Sequence, residues 1–186
     1  MMNETDEALY DRFLESNDES AFRVLVERHK ASLLLFINGY VHNLDDAEEL
    51  MVDTFAETAA GPTLFSGRSS FKTWLFSIGK NLALMHLRKN KRRRAVEEEI
   101  PESVSDPGDT PELQVIEDEK KRQVYLALQQ IHSDYRQILI LLYFEGMSHE
   151  EAGKVMGKNR RQTYHLAERG RAALKETLER MGFSYA

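Results

Sequence analysis

No cysteine occurs among the 186 residues, which excludes disulfides, thiol catalysis and any cysteine-ligated zinc finger. No apolar run approaches the ~20 residues needed to span a bilayer. The opening MMNETDEALYDRF is acidic and lacks the charged start and apolar centre of a secretory signal, so a cytoplasmic location is expected. Strand signals are missing as well, because apolar residues recur at three-and-four rather than alternating spacing. His149-Glu150-Glu151 begins like a zinc-protease helix, but Gly153 stands where the second histidine is required,. Gly153 to Asn159 has the wrong glycine spacing for a phosphate loop and no Ser or Thr after Lys158. The six histidines are scattered, and no Ser-His-Asp set can be argued. No catalytic residue, metal or cofactor is therefore expected, and the chain does not read as an enzyme.

What the chain does have is charge sorted along its length. The net charge is -6, yet Lys80 to Arg94 is dominated by cations, while Ala95 to Glu119 holds ten carboxylates and no Lys or Arg. That acidic stretch also carries Pro101, Pro107, Gly108 and Pro111 and no helical period. It reads as an extended, self-repelling linker over residues 95–112 between domains at 1–94 and 113–186. As a spacer it needs no further role; screening the basic regions while they are unoccupied is the alternative.

The spacing predicts helices over 4–16, 19–41, 45–60 and 70–91, then 113–131, 134–144, 149–156 and 160–181. The expected fold is all-α, two small helical domains with a helix-turn-helix in the second. In the fourth helix Phe71, Trp74, Leu75, Ile78, Leu82 and Met85 form the core stripe,. Lys72, Lys80, Asn81, His86, Arg88, Lys89, Lys91, Arg92, Arg93 and Arg94 then face solvent. Cations answer phosphates, and neighbouring aromatics can stack on exposed bases. By itself the stretch also fits a solvated amphipathic helix with a basic end.

A second site decides between them. Ser148 with Glu151 forms a capping box, Gly157 can take a left-handed turn, and Asn159 with Gln162 can cap the next helix,. Stop and restart within about three residues is what a helix-turn-helix requires. The second helix of such a motif enters the major groove at its N-terminus. Here that end offers Asn159, Arg160, Arg161, Gln162, Tyr164 and His165, followed by Arg169, Arg171 and Lys175. Arg can pair with guanine and Gln with adenine, and the helix N-terminus can hold a phosphate. An antiparallel helical hairpin with a basic surface is the alternative.

Together these features resemble the sigma-70 family, specifically the two-domain extracytoplasmic-function sigma factors. Phe13, Ala21-Phe22, Leu25 and Tyr40 are similar to the family's first conserved region. Asp45, Asp46, Glu48, Glu49 and Leu50, then Asp53 and Phe55, are similar to the segment that grips core polymerase. Phe71-Lys72-Thr73-Trp74-Leu75 with Asn81, Leu82 and Arg88 is similar to the element that melts and reads the minus-ten promoter element. Tyr135-Arg136-Gln137, Tyr143 to Ser148, Glu150-Glu151, Arg169 and Arg171 are similar to the domain that reads the minus-thirty-five element.

The resemblance implies a sigma factor that directs promoter recognition, melting and initiation, with bacterial RNA polymerase core and promoter DNA as partners. It leaves room for an anti-sigma factor and implies no membrane insertion. A helix-turn-helix regulator acting without polymerase is the alternative function. In the minus-ten element the candidate contacts are Arg68, Ser69, Ser70, Phe71, Lys72, Asn81, Arg88, Lys89, Lys91 and Arg92. Ser66 to Ser70 can bring amides and hydroxyls against a flipped base. Phe71, Trp74 and Phe76 could line that site, the first two fitting the core stripe better. The minus-thirty-five contacts are Lys158, Asn159, Arg160, Arg161, Gln162, Tyr164, His165, Arg169 and Arg171. Ala152-Gly153, Lys158, Thr163 and Gly170 depart from the family pattern. Two glycines inside helices imply either a loosened domain or unusually close packing.

Overall fold

The computed structural model describes residues 4–60, 65–97 and 119–183. Helices α1 (Asp6–Ser16), α2 (Glu19–Val41), α3 (Leu44–Ala60) and α4 (Phe71–Glu97) form a first bundle. Helices α5 (Glu119–Gln130), α6 (Ser133–Leu139), α7 (His149–Met156) and α8 (Arg160–Arg180) form a second, with a π-helical segment Ile140–Phe144 extending α6. No strand occurs among the described residues. The expected linker lies outside the described residues except for 95–97, which continue α4 as helix. The expected helix over 113–131 is described from Glu119.

Local chemistry sets these boundaries. Thr5 accepts from the Ala8 amide to start α1, and Asn17 ends it in the left-handed region. Asp18 then accepts from the Ser20 and Ala21 amides to start α2, a satisfaction of orphan donors that N-caps provide. Asn43 does the same for α3 through the Asp46 amide. The first amide of α4, that of Phe71, donates to Glu7 Oε1 at 2.8 Å, so α1 clamps the start of α4.

The first core is aromatic. Tyr10 is fully buried, its ring 5.1 Å from Phe71 and 5.6 Å from Trp74, and its hydroxyl donates to the Thr58 carbonyl at 2.8 Å. Such tilted and edge-on pairs add to the apolar burial that drives packing. Met85, expected in the core stripe, is instead 61% exposed. In the second bundle Arg136 is buried and donates to the carbonyls of Leu128 and Gln129 at the end of α5, satisfying groups the helix leaves unpaired,.

The two bundles touch. Helix α4 lies along α7, and α2 meets α6 and the π-helical segment. Gln137, completely buried, donates to the Phe36 carbonyl at 2.9 Å across this contact.

Candidate nucleic-acid interface

The turn between α7 and α8 is built as its sequence predicts. The Ser148 hydroxyl accepts from the Glu151 amide while the Glu151 carboxylate accepts from the Ser148 amide. Gly157 closes α7 at φ +67, a conformation side chains avoid. Asn159 and Gln162 form a second reciprocal box at the head of α8. The departures Gly153, Thr163 and Gly170 are close-packing sites. A Cβ on Gly153 would lie 2.5 Å from the Lys158 carbonyl oxygen. Thr163 is fully buried, its hydroxyl donating to the carbonyls of Arg160 and His149.

That geometry leaves the head of α8 standing clear. Arg160, Arg161, Tyr164 and His165 line a shallow open depression. Asn159, Arg169 and Arg171 are also exposed, and Lys158 is half-buried beside Asp134 at 3.5 Å. His149 stacks on Tyr164 at 3.7 Å and 18°, and the Arg160 guanidinium sits 5.7 Å from the centre of the same ring. Burial, with Arg171 and Arg160 nearby, holds the His149 imidazole below its usual range, so it is neutral at neutral pH. The Tyr164 ring thus has two neighbours, His149 stacked on it and the Arg160 guanidinium near its face. Gln162 differs from the expectation that it reads adenine. Its Oε1 is taken by the Asn159 amide at 2.9 Å, so the side chain holds the turn and cannot offer a two-pronged contact.

Along α4 the expected cations divide. Asn81, Arg88, Lys89, Lys91 and Arg92 are exposed, as is Arg68 in the preceding loop. Lys72 and Lys80, expected at the solvent face, are half-buried against the second bundle. Lys72 Nζ donates to the Glu145 carbonyl at 2.6 Å, and Lys80 Nζ to the Val155 carbonyl at 2.9 Å. Ser70 donates to Glu151 at 2.8 Å, and Ser69 is half-buried. Phe71 and Phe76 have no exposed surface. Both rings are core, and neither can meet a base without unpacking the bundle.

On α3, Asp45, Glu48, Glu49 and Asp53 are exposed, and Asp46 lies 3.1 Å from His86. Leu50 and Phe55 point inward, buried among the helices, and so support this face rather than form it. Val52, 61% exposed, is the apolar residue the helical pattern does present there. Its position three and four residues after Glu49 and Glu48 puts it on their face, a signal the sequence carried and the expectation passed over.

The fold and the exposed basic head of α8 define a two-bundle helix-turn-helix protein suited to DNA. Comparison with known proteins narrows this. The sigma-70 region 2 family model matches residues 25–93, and the sigma-70 region 4 model matches residues 121–174. RNA polymerase sigma factor NccH of Alcaligenes xylosoxydans xylosoxydans is 31% identical over 180 residues, covering 94% of this chain and 95% of that one. RNA polymerase sigma-H factor of Pseudomonas aeruginosa is 30% identical over 164 residues, covering 84% of each. The ECF RNA polymerase sigma-E factor of Haemophilus influenzae is 29% identical over 160 residues, covering 82% of this chain and 84% of that one. The solved structure of CnrH with the cytosolic domain of CnrY shares the fold, with TM-score 0.61, 23% identity and coverage of 95% and 98%.

The chain belongs to the sigma-70 family, in its extracytoplasmic-function group, and is an RNA polymerase sigma factor. Its partners are RNA polymerase and promoter DNA, and the regulator alternative gives way. No helix among the described residues is long and apolar enough to cross a membrane.

Proposed function

We propose that residues 1–94 bind core polymerase and the minus-ten element, that residues 113–186 bind the minus-thirty-five element, and that 95–112 link them. The observation that carries this division is the exposed head of α8, Arg160, Arg161, Tyr164 and His165, held forward by two capping boxes. Arg160 and Arg161 supply the forked donors that read guanine in the major groove, and the stacked Tyr164 supplies an apolar edge for a thymine methyl. Lys158, Arg169 and Arg171 serve phosphates, and Asn159 holds the turn.

In the first bundle Asp45, Glu48, Glu49 and Asp53 give core polymerase an acidic face, with Asp46 at its edge and Val52 as the apolar contact. Arg88, Lys89, Lys91 and Arg92 hold the backbone of the melted strand, while Arg68, Ser69, Ser70, Lys72 and Asn81 meet its bases and sugars. The chain acts by binding and not by catalysis, in the cytoplasm where polymerase works. An anti-sigma factor is a further proposed partner, on the likeness to RpoE of Bartonella quintana, solved with the anti-sigma factor NepR at TM-score 0.63 and 24% identity.

The test is run-off transcription on genomic fragments with purified core polymerase. Discrete transcripts that require this chain support the proposal. Arg161→Ala should shift which fragments are used, and charge removal at Arg88, Lys89 and Arg92 should depress them all.

A further inference from the structure

His149 is not on the reading helix, yet its backbone and its ring both engage that helix. The capping box of Ser148 and Glu151 makes His149 the first residue of α7. Its carbonyl accepts from the Thr163 hydroxyl at 3.1 Å, and Thr163 is fully buried near the start of α8. The His149 ring lies against the next residue, Tyr164, with centroids 3.7 Å apart and planes 18° from parallel. The nearest pair in the aromatic core of the first bundle, Phe13 and Phe22, stands 4.7 Å apart at 33°.

This contact is one of faces rather than of polar atoms. Nδ1 of His149 is buried with no hydrogen-bond partner, so that nitrogen does not hold the ring. Burial, with Arg171 and Arg160 nearby, keeps the imidazole uncharged, and an uncharged ring offers phosphates no ionic attraction. What it offers Tyr164 is a flat wall.

Tyr164 is 48% exposed, and a side chain facing solvent has several staggered rotamers open to it. Stacking favours those that lay the ring against α7. The Arg160 guanidinium lies 5.7 Å from the centre of the same ring, one helical turn earlier. Successive bases of a strand are about 3.4 Å apart, so a guanidinium and a ring edge this close fall on neighbouring base pairs. Arg takes the two acceptors of guanine, and an apolar edge takes the methyl of thymine.

We propose that His149 is a positioning residue for promoter readout: by stacking on Tyr164 it sets that ring to meet the 5-methyl group of a thymine beside the guanine read by Arg160. This rests on the assignment of α8 to the minus-thirty-five element.

Holoenzyme formed with the full chain, selected on a promoter library randomised upstream, yields the preferred fragment. Deoxyuridine then replaces each upstream thymine in turn, which removes the methyl and nothing else. Losing one buried methyl should weaken wild-type binding by about fourfold at one position, and Tyr164→Ala should abolish that effect. There His149→Ala should bring the thymine-to-deoxyuridine affinity ratio from about four to near one. Its affinity for the deoxyuridine fragment should stay within about twofold of wild type. His149→Phe keeps a flat ring and should restore the ratio, whereas His149→Ala in a Tyr164→Ala background should add nothing. Arg160→Ala should relax a guanine next to that thymine.

Equal loss by His149→Ala on both fragments makes its role structural and overturns the proposal. A ratio that His149→Phe fails to restore does so too, as does a methyl effect that survives Tyr164→Ala. A neighbouring guanine preference untouched by Arg160→Ala overturns the two-base reading. If wild-type holoenzyme selects no upstream sequence at all, the assignment of α8 fails first and the positioning role fails with it.

Discussion

Replacing Gly153 by Ala pits two effects against each other. In an exposed helix interior the change would gain ~0.5–1 kcal/mol from backbone entropy. Here the new Cβ meets the Lys158 carbonyl oxygen at 2.5 Å and Thr163 Cγ2 at 3.4 Å. The carbonyl cannot step aside cheaply, because Lys158 donates its amide back to the Gly153 carbonyl at 2.9 Å and Gly157 fixes the turn. Relieving such an overlap costs typically ~1–3 kcal/mol. The net expectation is a second bundle less stable by about 1–2 kcal/mol, or a melting point lower by ~4–8 °C for each kcal/mol in a domain of this size. Thermal unfolding followed by circular dichroism measures it. Gly170→Ala is the control, since its Cβ would find Leu139 Cγ at 3.3 Å and Tyr135 Cβ at 3.4 Å. Its clash is mild enough to be offset by the helical gain. A Gly153→Ala chain as stable as wild type would refute the close-packing account of the turn.

Three further outcomes follow from the site. Arg161→Ala should relax preference at one upstream position by ~1–3 kcal/mol in a binding-selection assay, whereas an equal loss on all sequences would make it a phosphate anchor. Lys at Asp45, Glu48, Glu49 and Asp53 together should weaken association with labelled core polymerase while helix content stays constant. The third outcome concerns pH. Burial opposes a charge on His29, but hydrogen bonds and attraction from Asp6 and Glu145 outweigh it and raise its pKa from 6.5 to about 9. Arg28 also faces Asp6, and Lys72 faces the Glu145 carbonyl. A raised folded pKa gives stability that is full below 6.5 and lost as pH rises through about 9,. The urea midpoint should fall across that window, by roughly 3 kcal/mol of stability at most, and His29→Gln should flatten the dependence.

The helix-turn-helix was legible because its signals are local. Ser148 with Glu151, Gly157, and Asn159 with Gln162 each act within four residues, so spacing alone located the turn. The same capping logic hid the cost to Gln162, whose acceptor is consumed by the Asn159 amide and cannot also read a base. Helical period showed that α4 has a buried stripe, but not that a second face is covered. Lys72 and Lys80 find partners 73 and 75 residues away, and no local pattern encodes that contact. Leu50, Phe55 and Phe71 illustrate the reverse case. Each sits in a segment resembling a binding element, yet periodicity alone would have assigned them to the core they occupy. The π-helical segment before Glu145 had no sequence signal, since Ile140 to Phe144 reads as ordinary apolar helix.

The central claim is that this chain opens promoters as part of RNA polymerase, and permanganate reactivity of unpaired thymines tests it most directly. Holoenzyme formed from the full chain should expose reactive thymines in a discrete window of a genomic promoter. Ala at Ser70 and Asn81 should diminish that reactivity while closed-complex binding is nearly kept, and a premelted template should restore much of the activity. If core polymerase with the wild-type chain yields no thymine reactivity on any genomic promoter, the account of promoter opening is contradicted.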